Sequence, residues 1–260
     1  MAQSEFLKVA IEAATAAEAV IRRYYLSNLE IEVKEDRSPV TVADVETEKT
    51  IKSIILEAFP DHGFYGEETG KTNADAEYLW LIDPIDGTKS FVRQYPMFST
   101  QIALMHKGEL IVGVSNSPMF QEMCWAERGA GAFMNGEKIA VSDIDELQDA
   151  ALSTGNIATL AGSSSWAGLG ELIRGVSRIR GYGDFFHYHL LASGKIDLII
   201  ESDVNILDIA ALSVIIEEAG GRFTDLEGKA LDLDTTSVLA SNNATLYDIA
   251  SNTLRYRESS

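Results

Sequence analysis

The run Tyr78-Leu79-Trp80-Leu81-Ile82 leads straight into Asp83-Pro84-Ile85-Asp86-Gly87-Thr88. No other stretch constrains the chain as tightly, because an apolar strand here delivers two carboxylates in quick succession. Pro84 fixes its own φ and removes a backbone donor, so the chain is expected to leave the sheet at that point. Gly87 permits a tight turn. Thr88 to Phe91 then opens a helix whose first amides face the same place. Carboxylates beside free amides suit a metal and a phosphate together, and hard oxygen ligands of this kind favour magnesium over zinc. The same residues also serve blander ends, since Asp-Pro and Asp-Gly pairs are ordinary turn chemistry.

Two other acidic clusters follow strands. Gly66-Glu67-Glu68-Thr69-Gly70 comes after the apolar Gly63 to Tyr65, and Glu201 stands at the end of a strand shortly before Asp208, where a helix starts. Taken singly, the first reads equally as a solvated loop and Asp208 as a helix N-cap.

The elements around these acids follow from hydrophobic period. Phe6, Val9, Ala10, Ala13, Ala17, Val20 and Ile21 recur at spacings of three and four, which predicts a helix over 4–26. Val45, Ile51, Ile54, Ile55 and Ala58 predict a second over 41–58, stopped by Pro60. Between them, Glu30 to Val33 reads as a strand and Glu35 to Ser38 as a polar loop. A meander follows, with strands at 63–65, 78–82, 99–105, 110–115, 123–127 and 132–134, punctuated by Gly108, Pro118 and Asn135-Gly136. The pattern changes near residue 145. Strands are expected at 151–153, 196–201 and 238–240, and helices at 185–192, 208–219 and 245–256. Gly162 to Gly170 reads as a small-residue loop, Gly168 to Gly175 as part of a helix, and Glu227-Gly228 as the turn of a hairpin. A soft boundary at 140–150 divides the chain into an N-terminal α+β part, 1–145, and a C-terminal α/β part, 146–260, the latter carrying Asp208.

Composition narrows the function. A net charge of −19 over 260 residues disfavours nucleic acid and anionic membranes, whose phosphates it repels. Bound divalent cations reconcile that charge with an anionic substrate by reversing the local field. No apolar run approaches the roughly 20 residues of a membrane span, and Met1 to Phe6 does not resemble a signal peptide. Cys124 is the only cysteine, so an intrachain disulfide is impossible and a reducing, cytoplasmic setting fits best.

Taken together, the acidic motifs resemble the inositol monophosphatase superfamily. Its signature matches Asp83-Pro84-Ile85-Asp86-Gly87-Thr88. Its other marks stand in order as Ser38-Pro39-Val40-Thr41 with Asp44, Gly66-Glu67-Glu68, Leu207-Asp208-Ile209-Ala210-Ala211 and Glu218-Ala219-Gly220-Gly221. The likeness spans about residues 8 to 245. It implies a layered αβαβα sandwich of the inositol monophosphatase and fructose-1,6-bisphosphatase type, and metal-assisted hydrolysis of a small phosphate ester. By match, Glu67, Asp83, Asp86 and Asp208 are metal ligands, joined by the Ile85 carbonyl. Thr88 works with Glu67 to orient the attacking water, Asp44 supports a water on the metal, and the Gly87 and Thr88 amides hold the phosphate. Two or three magnesium ions, with manganese as a substitute, and a homodimer are implied. Leu207 departs from the tryptophan that many inositol-type members carry there, which bears on packing.

Within the superfamily the chain looks most like the histidinol-phosphate phosphatase branch, through Lys89-Ser90-Phe91, Pro96-Met97-Phe98-Ser99-Thr100, Gly181-Tyr182-Gly183-Asp184 and Tyr188 to Glu201. Histidinol phosphate carries an ammonium and an imidazole, and Asp184 and Glu201 supply carboxylates for them, with Asp208 beside the substrate. The alternatives are an inositol-1-monophosphatase or a broad sugar phosphatase with fructose-1,6-bisphosphatase activity. A non-catalytic homologue is disfavoured because no metal carboxylate is lost. His187 and His189, two apart on a helix, diverge and are not read as a ligand pair. His62 and His106 read as surface residues, and Trp166 as a packing residue.

Overall fold

The structure, a computed structural model, describes residues 3–25, 31–33 and 39–256. Glu30, the 35–38 loop and Ser38 of the sequence motif lie outside the described residues. By contacts the chain divides into two compact units, Met1–Glu137 with Leu207–Ile215, and Lys138–Ile206 with Ile216–Ser260. The helical segment bearing Asp208 therefore groups with the first unit, whereas the sequence had placed it in the C-terminal part.

In the first unit, helix α1 (Glu5–Tyr24) is capped by Ser4, whose hydroxyl accepts from the Leu7 N–H. Strands β1 (Ile31–Val33) and β2 (Pro39–Thr41) pair antiparallel and lead into α2 (Val42–Ala58). Thr41 and Asp44 form a capping box at the start of α2. The buried face of α2 is Ala43, Asp44, Thr47, Glu48, Ile51 and Ile55, so two acids share the face of the isoleucines.

The first unit's sheet is built from β3 (Gly63–Gly66), β4 (Gly70–Thr72), β5 (Tyr78–Asp86), β6 (Ser99–His106), β7 (Glu109–Ser117), β8 (Glu122–Glu127) and β9 (Gly131–Met134). With β10 (Glu137–Ile139) the order is β10-β9-β8-β7-β6-β5-β3-β4. The β3–β5 pair is parallel and β5 to β9 is an antiparallel meander. Leu7, Ala10, Ala14, Ile51, Phe64, Trp80, Leu104 and Val112 form one core between helices and sheet. A short helix α3 (Thr88–Val92) follows β5, and Phe91 and Phe98 pack with Ile21, Ala43 and Ile85.

The second unit has β11 (Ala151–Thr154), α4 (Ala158–Ala161), α5 (Trp166–Gly175), β12 (Arg178–Arg180), α6 (Asp184–Ala192), β13 (Leu198–Ser202), α7 (Ile206–Glu218, shared between units as described), β14 (Arg222–Thr224), β15 (Ser237–Ser241) and α8 (Ala244–Leu254). Its sheet runs β12-β11-β13-β15-β14. Leu152, Leu169, Leu198, Leu239, Leu246 and Leu254 anchor its core. The structure departs from the sequence expectation at three places. Trp166 lies 46% exposed at the start of α5, so it is not a packing residue and the small-residue loop is shorter than expected. A hairpin does follow α7, as β14 with β15, but Asp225 to Gly228 is a turn within its long connection and does not join the paired strands directly. His62 and His106 are half-buried, each stacked against Tyr78, and His62 Nδ1 accepts from the Trp80 indole. Among the described residues no helix is long and apolar enough to cross a membrane.

Candidate active site

The register of β3 and β5 sets the first two acids side by side. Gly66 pairs with Ile82 in parallel, Glu67 follows at once beyond the end of β3, and Asp83 is the next residue of β5. The Glu67 N–H closes the corner by donating to the Ile82 carbonyl at 3.2 Å.

Asp83 and Asp86 are brought together by a different device. Residues three apart in a regular strand point to opposite faces. Here the chain does not leave the sheet at Pro84. Strand β5 continues to Asp86, and its register with β6 slips, Asp83 facing Gln101 and Asp86 facing Ser99. Two residues of β5 thus oppose Thr100 alone, which is a bulge, and a bulge re-aims side chains. Thr100 Oγ1 donates to the Pro84 carbonyl at 2.9 Å and pins it. Asp83 Oδ1 accepts the Ile85 N–H at 2.9 Å. Ligand atoms of Asp83, Asp86 and Asp208 lie within 4.8 Å of one another.

Electrostatics mark this cluster as incomplete by itself. Burial pushes Asp83 well above the usual carboxylate range, and the charges of Glu67, Asp208 and Asp86 push it further. Four acids so placed repel one another unless a cation stands among them. The donor set is all oxygen, which fits a hard divalent ion. Asp44, buried at the start of α2, is also raised, chiefly by burial, against hydrogen bonds from Thr41. Thr88 Oγ1 lies 3.0 Å from the Ile85 carbonyl and 3.3 Å from Asp44 Oδ1, so its one proton has two acceptors. Gly87 takes φ +88° with its α-carbon turned against the Met97 carbonyl, where a Cβ would come within 2.6 Å. No residue but glycine fits there, and the first amides of α3 have no partner within the helix.

The inositol monophosphatase family model matches residues 2–258. The chain belongs to the inositol monophosphatase family. It is 38% identical over 236 residues to a histidinol-phosphatase of Mycobacterium tuberculosis, covering 86% of this chain and 88% of that one. It is 32% identical over 248 residues to an inositol-1-monophosphatase of Mesorhizobium japonicum, covering 93% of each. An inositol monophosphatase structure from an Anabaena species superposes with a TM-score of 0.83 at 33% identity, over 96% of this chain and 95% of the other. The fold is thus the α/β sandwich of that family, and the chain is a phosphatase of a metal-dependent family acting on phosphate monoesters.

In the second unit of this phosphatase, Asp184 opens α6, half-exposed at φ +44°, after Gly183 at φ +65°. Glu201 is 3% exposed and held from three sides. Its Oε1 accepts the Asn156 N–H at 2.9 Å, and its Oε2 lies 2.6 Å from Tyr188 Oη and 3.1 Å from His187 Nε2. Burial works to raise this carboxyl, but the hydrogen bonds from His187, Tyr188 and Asn156 outweigh it and hold Glu201 below the usual range. Lys89, Arg93, Arg178 and Arg180 are exposed.

Supporting residues went unseen in the sequence. Glu48, fully buried on α2, accepts the N–H groups of Glu68 at 2.7 Å and Thr69 at 2.9 Å, fixing the loop that carries Glu67. A Cβ at Gly66 would come within 2.5 Å of that carboxyl, so the glycine is what admits it. Ser99 Oγ donates to Asp86 Oδ2 at 3.3 Å and accepts from Gln101 Nε2 at 2.8 Å. The signal for Glu48 was its spacing of three from Ile51 and four from Asp44, one helix face.

Proposed function

We propose that this phosphatase hydrolyses L-histidinol phosphate to L-histidinol and phosphate, with magnesium as its cation. The observation that carries the metal reading is the close grouping of Asp83, Asp86 and Asp208 oxygens, within 4.8 Å. Glu67, Asp83, Asp86, Asp208 and the Ile85 carbonyl would hold the ions. When bound, these supply Lewis-acid polarisation of the phosphate, acidification of water and compensation of developing charge.

The protein's own groups do the rest. The Gly87 and Thr88 amides hold phosphate oxygens. The Thr88 hydroxyl, in reach of Asp44, orients the attacking water, and Glu67 receives its proton. Water oxygen bonds to phosphorus as the ester P–O bond breaks, and the leaving alcohol gains a proton. Asp184 and Glu201 meet the substrate's ammonium and imidazole. A carboxylate has about four acceptor sites, and the three protein donors leave Glu201 Oε1 with one of its two. The likeness to a histidinol-phosphatase supports this substrate over inositol-1-phosphate.

The test is phosphate release with magnesium on L-histidinol phosphate, inositol-1-phosphate and fructose-1,6-bisphosphate side by side. The expected result is a kcat/KM for histidinol phosphate at least roughly a hundredfold above the others, a discrimination in the range that buried polar contacts give. Preference for either other ester overturns the substrate and the role given to Asp184, and leaves the carboxylate chemistry standing.

A further inference from the structure

Behind Glu201, a largely buried chain of hydrogen bonds links it to His187, Ser153 and Tyr182 of the second unit. His187 of α6 is fully buried. Its Nδ1 lies 3.1 Å from Ser153 Oγ on β11, and its Nε2 lies 3.1 Å from Glu201 Oε2 on β13. An ionised carboxylate only accepts, so Nε2 carries a proton whichever charge state the ring takes. Ser153 Oγ also accepts the Tyr182 N–H at 3.3 Å. Tyr182 immediately precedes Gly183 and Asp184, whose positive φ angles mark a turn that an outside contact must hold in place.

We propose that His187 is a positioning residue for substrate selection. It fixes Glu201 and, through Ser153, ties it to the turn that presents Asp184. The two carboxylates assigned to the aminated substrate are then set by one imidazole, an inference that rests on the substrate reading above. Burying two ring nitrogens is costly unless both are bonded, and here the partners are the substrate-side carboxylate and the serine that holds the Tyr182 N–H. The close fit on the other side of Glu201 points the same way. A Cβ at Gly155 would come within 1.8 Å of Glu201 Oε1, so the carboxylate is confined at both oxygens.

The experiment compares the parent chain with His187→Phe, which keeps a ring and loses both bonds, and His187→Gln, whose amide nitrogen can restore the donor to Glu201. Each is assayed with magnesium on L-histidinol phosphate and on p-nitrophenyl phosphate, which has no amine. His187→Phe should raise the KM for histidinol phosphate at least roughly tenfold, with kcat and the p-nitrophenyl phosphate KM changing less than about threefold. His187→Gln should recover most of that loss. Equal effects on both substrates, or an unchanged KM for histidinol phosphate, overturn the proposal. If the Phe variant does not fold, Ser153→Ala carries the test, with the same selective rise expected and an unselective or absent one overturning it. No turnover of histidinol phosphate by the parent overturns the substrate and this inference with it, whereas parent turnover with unshifted variants overturns this inference alone.

Discussion

Asp83 and Glu201 are each 3% exposed, yet their surroundings treat the negative charge in opposite ways. Around Asp83 stand Glu67, Asp208 and Asp86, and its charged form is disfavoured. Around Glu201 stand the donors of His187, Tyr188 and Asn156, and its charged form is favoured. Burial is the same in both, so the neighbours decide. A buried acid among acids calls for a cation from outside, while a buried acid among donors is kept ionised by the protein itself. The first arrangement suits a metal centre, and the second a fixed carboxylate in a recognition surface.

The same chemical change should therefore have opposite effects at the two places. Asp83→Asn removes one of four repelling charges. It should lower magnesium-dependent phosphate release at least about a hundredfold while raising the Tm of the metal-free protein, which thermal melts in chelator will show. Near-parent turnover, or a lower metal-free Tm, breaks the contrast. Glu201→Gln instead sets an amide N–H against a donor in the dry interior. It should cost about 2–3 kcal/mol in urea unfolding, and a loss below about 0.5 kcal/mol, the scatter of an ordinary surface change, would mean that the donors around Glu201 matter little.

The smallest effect is in pH. A carboxyl raised by folding binds its proton more tightly in the native state than in the unfolded one, where an aspartate titrates near about 3.9. The stability this gives the metal-free protein is present below that value and lost as pH rises through the raised pKa of Asp83. Magnesium competes with the same proton. The rise in Tm on adding magnesium should thus be larger at about pH 8 than at about pH 5, by a few degrees on the scale expected of a chain this size. An equal rise at both pH values removes Asp83 as the group that titrates.

The strands of the meander were legible because apolar runs and turn residues alternate plainly from Tyr78 to Met134. The pairing of Glu67 with Asp83 was not, since a parallel register is fixed by neighbours distant in sequence. Pro84 misled for a physical reason. Its missing N–H argues for an exit from the sheet, but a bulge tolerates that loss, and Thr100 secures the Pro84 carbonyl instead. Glu48 sits between Thr47 and Lys49 in a charged stretch and looks like a solvated residue, because the two amides it holds arrive some twenty positions later. That His187 reaches Glu201 required the fold of β13 against α6.

The segment Leu207–Ile215 groups with the first 137 residues although 69 residues of the second unit, Lys138–Ile206, intervene. Its backbone lies so close to β7 that a Cβ at Gly113 would come within 2.2 Å of the Ala211 carbonyl. During synthesis, then, the first unit waits. Its sheet and two long helices leave the ribosome well before the turn that closes against Gly113 and brings Asp208 to the other acids. Until then the nascent chain has three of the four clustered carboxylates and an open seat on the sheet, and closing that long loop is the kind of late, non-local step that slows folding.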